Sequence, residues 1–268
     1  VTTAFGTDGK LIDRATLPPT DPISVQKGGT QLTPEESESM SVGMVAEFDS
    51  GLFLTVDYYH IEVTDRISTT SGIKLTEEDI AALLAQGVDD ASSFSEVSFF
   101  TNDFDTTTEG VDIVANYSMD MLGGDTKFSL AYNWTSTTVD EASDNISAER
   151  VRMLENNLPA TRYSFTANHT NGDWRVLGRL NFAGSIYEDH LDSGLPIGQV
   201  SSEYTFDLEV GYHFTDNLQL VAGAKNLFDE RPDENVLYDN EIAGSQYPTT
   251  SPIGINGGFY YLRGIYTF

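Results

Sequence analysis

Catalysis or metal binding needs titratable or ligating side chains at workable spacings, and this sequence offers few. Its four histidines, His60, His169, His190 and His213, are scattered, and no two stand at the spacing that lets imidazoles share a metal. Cysteine is absent, which excludes disulfides and thiolate metal sites but says little about compartment. The densest polar cluster, Glu188-Asp189-His190-Leu191-Asp192, has the donors to touch a ligand or a divalent ion, although a solvated loop accounts for the same spacing. The acidic run Asp229-Glu230-Arg231-Pro232-Asp233-Glu234 also reads first as a solvated loop. No G-x-S-x-G or comparable nucleophile elbow occurs. Asn171-Gly172 and Gly123-Gly124 suit tight turns, not phosphates. The sequence therefore predicts no catalytic residue, no metal site, no cofactor and no enzyme.

The elements carrying these residues are strands. Residues 1–36 are turn-rich, with Pro18-Pro19, Asp21-Pro22 and Gly28-Gly29, and are read as a loop or extended arm. From Ser37 the apolar period becomes two. Met40, Val42, Met44 and Ala46 alternate with small or polar residues, and Leu52, Leu54, Val56 and Tyr58 follow a turn at Asp49-Ser50-Gly51. Past Tyr58 the apolar set shifts to Tyr59, Ile61 and Val63, which suggests a β-bulge or a strand leaving its two-sided environment. Further alternating runs cover about 97–119, 126–134, 162–168, 174–186, 204–215 and 218–225, and the last is the terminal segment 258–268. The clearest has Tyr204, Phe206, Leu208, Val210, Tyr212 and Phe214 on one face, and Asp207 and Glu209 on the other with Thr205 and His213. Within a long insertion at 68–95, Thr76 caps a short helix through Ile80–Leu84 that ends at Gly87 and packs on its own loop.

Two regularities select the architecture. The periods persist for ~10 residues, the length a tilted strand needs to cross a bilayer, whereas sandwich strands average ~5–6. Short turns at 49–51, 120–125, 171–173 and 215–217 alternate with long polar segments at about 137–158, 188–202 and 229–256. That rhythm fits an antiparallel transmembrane β-barrel with short periplasmic turns and long extracellular loops. Thirteen Tyr and fifteen Phe supply the interfacial girdles such barrels carry. Forty-two acidic residues against fourteen basic give a net charge of −28, which argues against a nucleic-acid partner. The count of about nine strands is odd where single-chain bacterial barrels are even, so the segment is expected to be part of a larger barrel.

The order of motifs resembles the C-terminal region of TonB-dependent outer-membrane receptors. The residues that carry the resemblance are Leu32-Thr33-Pro34-Glu35 leading into Met40-Ser41-Val42-Gly43, Leu54-Thr55-Val56-Asp57-Tyr58-Tyr59 through Asp65-Arg66-Ile67, and Phe100-Thr101-Asn102 with Glu109-Gly110-Val111-Asp112. Asn157-Leu158-Pro159, Lys225-Asn226-Leu227-Phe228-Asp229 and Tyr260-Tyr261 to Phe268 complete the set. The resemblance implies that residues 37–268 are the C-terminal part of a roughly 22-stranded barrel of a Gram-negative outer membrane. It implies import of a scarce small-molecule ligand (siderophore, cobalamin, oligosaccharide or peptide) with TonB-derived energy. The implied partners are membrane lipid and lipopolysaccharide, a plug domain and the TonB complex reached through a part this chain lacks, and the barrel-assembly machinery. Tyr266 and Phe268 resemble the C-terminal signal that this machinery reads. Arg175, Arg179, Asp207 and Glu209 are expected to face the lumen and contact water, one another or the plug. On this bacterial reading Asn145-Ile146-Ser147 and Asn168-His169-Thr170 match the glycosylation triplet by chance. The rival expectation is a soluble all-β surface adhesin or carbohydrate-binding module, and a less favoured third is a barrel enzyme.

Overall fold

The computed structural model describes residues 2–5, 11–143, 146–189, 196–236 and 246–268. In chain order its strands are β1 (Thr2–Phe5), β2 (Leu11–Leu17), β3 (Glu36–Glu47), β4 (Phe53–Thr69), β5 (Ile73–Lys74), β6 (Glu96–Met121), β7 (Gly124–Ala142), β8 (Thr161–Asn171) and β9 (Trp174–Ala183). β10 (Ile186–Asp189), β11 (Pro196–Val200), β12 (Glu203–Thr215), β13 (Leu218–Lys225) and β14 (Phe259–Tyr266) follow. The helices are α1 (Pro22–Gln26), α2 (Glu77–Ala85) and α3 (Ala148–Asn156).

The wall is a run of strands paired antiparallel in the order β3-β4-β6-β7-β8-β9-β12-β13-β14. These are the strands the alternation predicts. Period two fixes their register, because a one-residue slip would turn every apolar side chain to the wrong face. Tyr204 thus lies opposite Phe182, Leu208 opposite Gly178, and Asp207 opposite Arg179. At the tight end, β6 and β7 are joined through Leu122 and Gly123, both with positive φ. That backbone matches the twist of the flanking strands, so the turn sits one residue earlier than the glycine pair alone suggests.

Met40, Val42, Met44, Tyr204 and Phe214 are exposed on the apolar face, and Leu262 is 78% exposed. A soluble sheet would cover such a surface; a bilayer leaves it as it is. Aromatic rings bound the band: Phe182 stacks with Tyr163 at a centroid distance of 4.8 Å and meets the tilted Tyr204 ring at 4.7 Å, and Tyr212 meets Trp174 and Phe214 at 4.6 and 4.8 Å. Residues 204–214 lie between these rows, a stretch of the length that crosses hydrocarbon at a tilt.

The buried apolar core lies outside the wall. Ile23, Leu83, Ala91 and Val97 pack with Leu17, Ile73, Leu75, Val88 and Phe94 into a small lobe on the long-loop end of β6. Residues 1–36 were expected to be a loop or extended arm. In their described part they carry β1, β2 and α1, because β2 finds a parallel partner in β6, with Arg14 opposite Glu96 and Leu17 opposite Phe99. The Arg14 guanidinium donates to the Glu96 carboxylate at 2.8 Å in this interface. The predicted capped helix is α2, whose Thr76 and Asp79 form a reciprocal capping box. As expected it packs on its own loop, through Val88, Ala91 and Phe94, and the same core adds Ile23 of α1 and Val97 of β6. Lys27 reaches across to the Asp79 carboxylate, and this hydrogen bond, then those from Thr76, holds Asp79 well below the usual carboxylate range. The irregularity expected past Tyr58 lies farther on, between Val63 and Ile67, where Asp65 has φ 52°. At Tyr59 the strand keeps its register.

Candidate functional site

On the inward face of the wall, polar side chains are paired along and across strands. Arg175 on β9 donates to Asn168 on β8 at 3.0 Å and to Glu209 on β12 at 2.6 Å. Glu209 also accepts from the Tyr261 hydroxyl at 2.6 Å and from Arg263 at 3.3 Å, both on β14. Arg179 donates to Thr166 Oγ1 at 3.0 Å, Asn133 donates to Asp112 at 2.7 Å, and Asn181 donates to Asp207 at 3.3 Å. Of the four inward charges singled out in the sequence, Arg175 and Glu209 join directly, while Arg179 and Asp207 bond to hydroxyls and amides. Such a lattice of charge-assisted bonds stiffens a surface without filling it.

The last loop folds back over this wall. Its first turn is Asn226-Leu227-Phe228-Asp229, with Asn226 at φ 49° and Asp229 at φ 58°, a conformation that asparagine and aspartate tolerate better than most residues. The Asn226 backbone N–H donates to Asp207 at 2.8 Å, its Oδ1 accepts from Glu230 N at 3.0 Å, and its Nδ2 donates to the Glu230 carbonyl at 2.7 Å. Asp229 then accepts from Gly258 N at 2.7 Å, which closes the loop's base. The acidic run from Asp229 is therefore structural in part rather than simply solvated. Beneath Pro252, Ile253 and Gly257 lies a cavity of about 890 Å³, whose wall includes Asp112, Asn133, Arg162, Asn181, Asp207 and Lys225. Carboxylates, cations and amides share this space with apolar residues such as Val114, Ile253 and Phe259, which suits a guest that offers several hydrogen-bonding groups on an apolar frame.

The other long loops join this roof. α3 was missed in the sequence because its turns lie inside a polar segment and bury no residue fully. It packs on β10: Tyr187 donates to Glu149 at 2.5 Å, and Arg152 lies 3.9 Å from the Tyr187 ring centroid. Glu188 in turn accepts from Thr249 Oγ1 and Thr250 N, each at 3.2 Å, and from the Thr250 hydroxyl. Of the predicted polar cluster, Glu188 thus ties two loops together, while His190, Leu191 and Asp192 lie outside the described residues, as does Asn145. The described histidines do not converge: His60 pairs with Glu62 at 3.1 Å, His169 with Thr126 at 2.8 Å, and His213 stands on β12. Among the described residues no three His, Asp or Glu side chains are arranged to hold a metal ion. Tyr266 ends β14 opposite Leu218, and Phe268 follows it with an edge-on ring contact at 5.2 Å, both exposed on the apolar side.

With this geometry in hand, comparison is decisive: residues 2–227 match the family described as TonB dependent receptor-like, beta-barrel. The chain belongs to that family. It is therefore a membrane-spanning portion of a TonB-dependent receptor barrel of a Gram-negative outer membrane, with long loops outside the cell and short turns in the periplasm. The match removes support from the soluble adhesin or carbohydrate-module reading. No curated protein matches the chain. Among solved structures it resembles the copper transporter OprC (19% identity, 95% of this chain and 34% of that one, TM-score 0.58). It also resembles the ferric-catecholate import receptor Fiu from E. coli K12 (14% identity, 88% and 28%, TM-score 0.57). A third is the pyoverdine receptor FpvA from Pseudomonas aeruginosa PAO1 bound to pyoverdine (14% identity, 90% and 31%, TM-score 0.55). At these identities the likeness is one of fold, and the chain spans about a third of the length of the structures it matches.

Proposed function

We propose that this receptor segment serves active import: it binds a scarce ligand at the outer loops and the cavity beneath them, and passes it inward with TonB-derived energy. The observation that carries the reading is the cavity of mixed polar and apolar lining beneath the last loop, on the inward face of a family barrel wall. The inward network around Glu209 offers a plug domain a rigid, hydrogen-bonding lining, and the plug and TonB contacts belong to the rest of the receptor. The exposed apolar face contacts lipid and lipopolysaccharide. The function is transport rather than enzymatic conversion, with no resident cofactor. Siderophore chelates, cobalamin, oligosaccharides and peptides all present the mixed hydrogen-bonding groups that the cavity wall matches.

The test is uptake of a radiolabelled panel of these ligand classes by cells expressing the intact receptor, with and without TonB. One class should accumulate only when both are present. Equal accumulation of every class in cells lacking TonB would end the reading.

We assign Tyr266 and Phe268 to recognition by the barrel-assembly machinery, since both rings stand exposed at the end of β14. Deleting Phe268 should lower the folded, outer-membrane fraction of the receptor several-fold, read as heat-modifiable mobility on gels. Normal insertion of the deletion variant would show that these rings serve only as part of the aromatic girdle.

A further inference from the structure

The last loop is fastened to its surroundings by carboxylate acceptors and uncharged donors. Asp207 holds Asn226, Asp229 holds Gly258, Asp233 accepts from Ser201 N at 2.7 Å, and Glu188 holds Thr249 and Thr250. One carboxyl in this region departs from the pattern. Glu203 begins β12 on the inward face, one residue outward of Tyr204 and so beyond the stretch that crosses lipid. Both its carboxyl oxygens are buried, as is Ser251 Oγ in the loop above; the hydroxyl stands beside the carboxyl without a well-formed hydrogen bond between them, and neither group has another partner among the described residues. The charged groups that act on Glu203 are Asp233 and Glu230, both from the loop and both negative. From the wall, its neighbour on β9 is the uncharged Ala183, and the loop's Arg231 is turned to Asp229 at 3.8 Å.

An ionised Glu203 in this position has lost water, has only the Ser251 hydroxyl as a donor within reach and faces two like charges. A neutral Glu203 can both donate to and accept from Ser251 Oγ, and it carries no charge for Asp233 and Glu230 to repel. Burial, then Asp233, pushes the Glu203 pKa up to about 7, and the nearby Ser251 hydroxyl offsets this only in part.

We propose that Glu203 and Ser251 form a proton-operated clasp between barrel wall and last loop, with Asp233 and Glu230 as the repelling pair that opens it when Glu203 ionises. The direction follows from linkage. In the released loop Glu203 titrates as an ordinary glutamate, near ~4.3. In the fastened loop it holds its proton up to about 7. Below the lower value both states are protonated and the clasp is fully effective. Between the two values the released state ionises first, so fastening weakens as pH rises, and above the upper value it stays at its weakest. Solvent reaches this end of the strand, so the full difference is reduced to about a tenfold change in the fastened-to-released ratio. The clasp is independent of which ligand the receptor carries.

The test is hydrogen–deuterium exchange of the intact receptor in detergent, between about pH 5 and about pH 7.5, after correction for the intrinsic pH dependence of exchange. Peptides covering 226–236 and 246–258 should open about tenfold more often at the upper pH. Glu203→Gln, which keeps a donor for Ser251 and cannot ionise, should stay protected throughout. A Glu203→Gln profile that tracks the wild type, or protection that rises with pH, overturns the proposal. If Glu203→Gln fails to insert, Asp233→Asn decides: the midpoint of opening should move to lower pH, and an unmoved midpoint overturns the clasp equally.

Discussion

Leu208→Arg should destabilise the intact receptor by ~2–4 kcal/mol, while Asp207→Asn at the adjacent position should cost less than ~1 kcal/mol. Leu208 stands near the middle of residues 204–214, on the face where Tyr204 and Phe214 are exposed. Arginine there places a charge in hydrocarbon at the depth where the cost is greatest. Asp207 points inward and accepts from Asn226 N and Asn181. Asparagine keeps an oxygen for the first of these bonds and stays on the polar side. The measurement is equilibrium unfolding in urea with the receptor in lipid vesicles, paired with the fraction inserted in cells. Equal losses at the two positions would sink the assignment of faces for β12, and with it the register that places Glu209 and Glu203 inside.

Gly110→Val should cost ~1–3 kcal/mol through overpacking and should be only partly relieved by Tyr59→Ala. Tyr59 on β4 and Gly110 on β6 are cross-strand partners on the inward face. A Cβ at Gly110 would lie 2.3 Å from the Tyr59 ring and 2.6 Å from the Trp134 carbonyl oxygen. The ring can swing away once truncated, but the carbonyl belongs to β7 and its ladder. The double variant should therefore recover part of the loss and no more. Unfolding midpoints of the two single variants and the double variant give the coupling directly. A wild-type midpoint for Gly110→Val would mean that the strands are more loosely packed at this pair than the geometry states.

The wall was legible because each of its strands carries its own evidence. Tyr204 through Phe214 keep a period of two on one side of Asp207 and Glu209, and the partner strand arrives after a tight turn. The outer lobe was not legible, for a physical reason. β2 is a short strand containing Asp13 and Arg14, and its stability comes from β6, far along the chain. A pattern confined to Leu11–Leu17 holds no trace of that partner. α3 was hidden in the same way, because its contact with Tyr187 depends on two loops meeting. For the site, Asn226 and Asp229 stood out in the motif that the family resemblance rests on, but their role in tying the loop to Asp207 requires the fold. Glu203 carried no sequence signal at all. It is one acid among forty-two, and only burial beneath Ser251 distinguishes it.

The parallel pairing of β2 with β6 has a consequence for assembly. Arg14 and Glu96 are 82 residues apart in the chain, whereas the wall grows by hairpins whose partners are neighbours in sequence. Closing so large a loop costs more entropy than closing a hairpin, so this contact forms after the local ones. Ile23, Leu83 and Val97 come together only once β3, β4 and β6 are in place. The outer lobe is thus the latest layer of the structure to form and the first to come apart. Proteolysis applied from outside the cell should cut within 11–31 or 70–95 while the inserted strands remain whole.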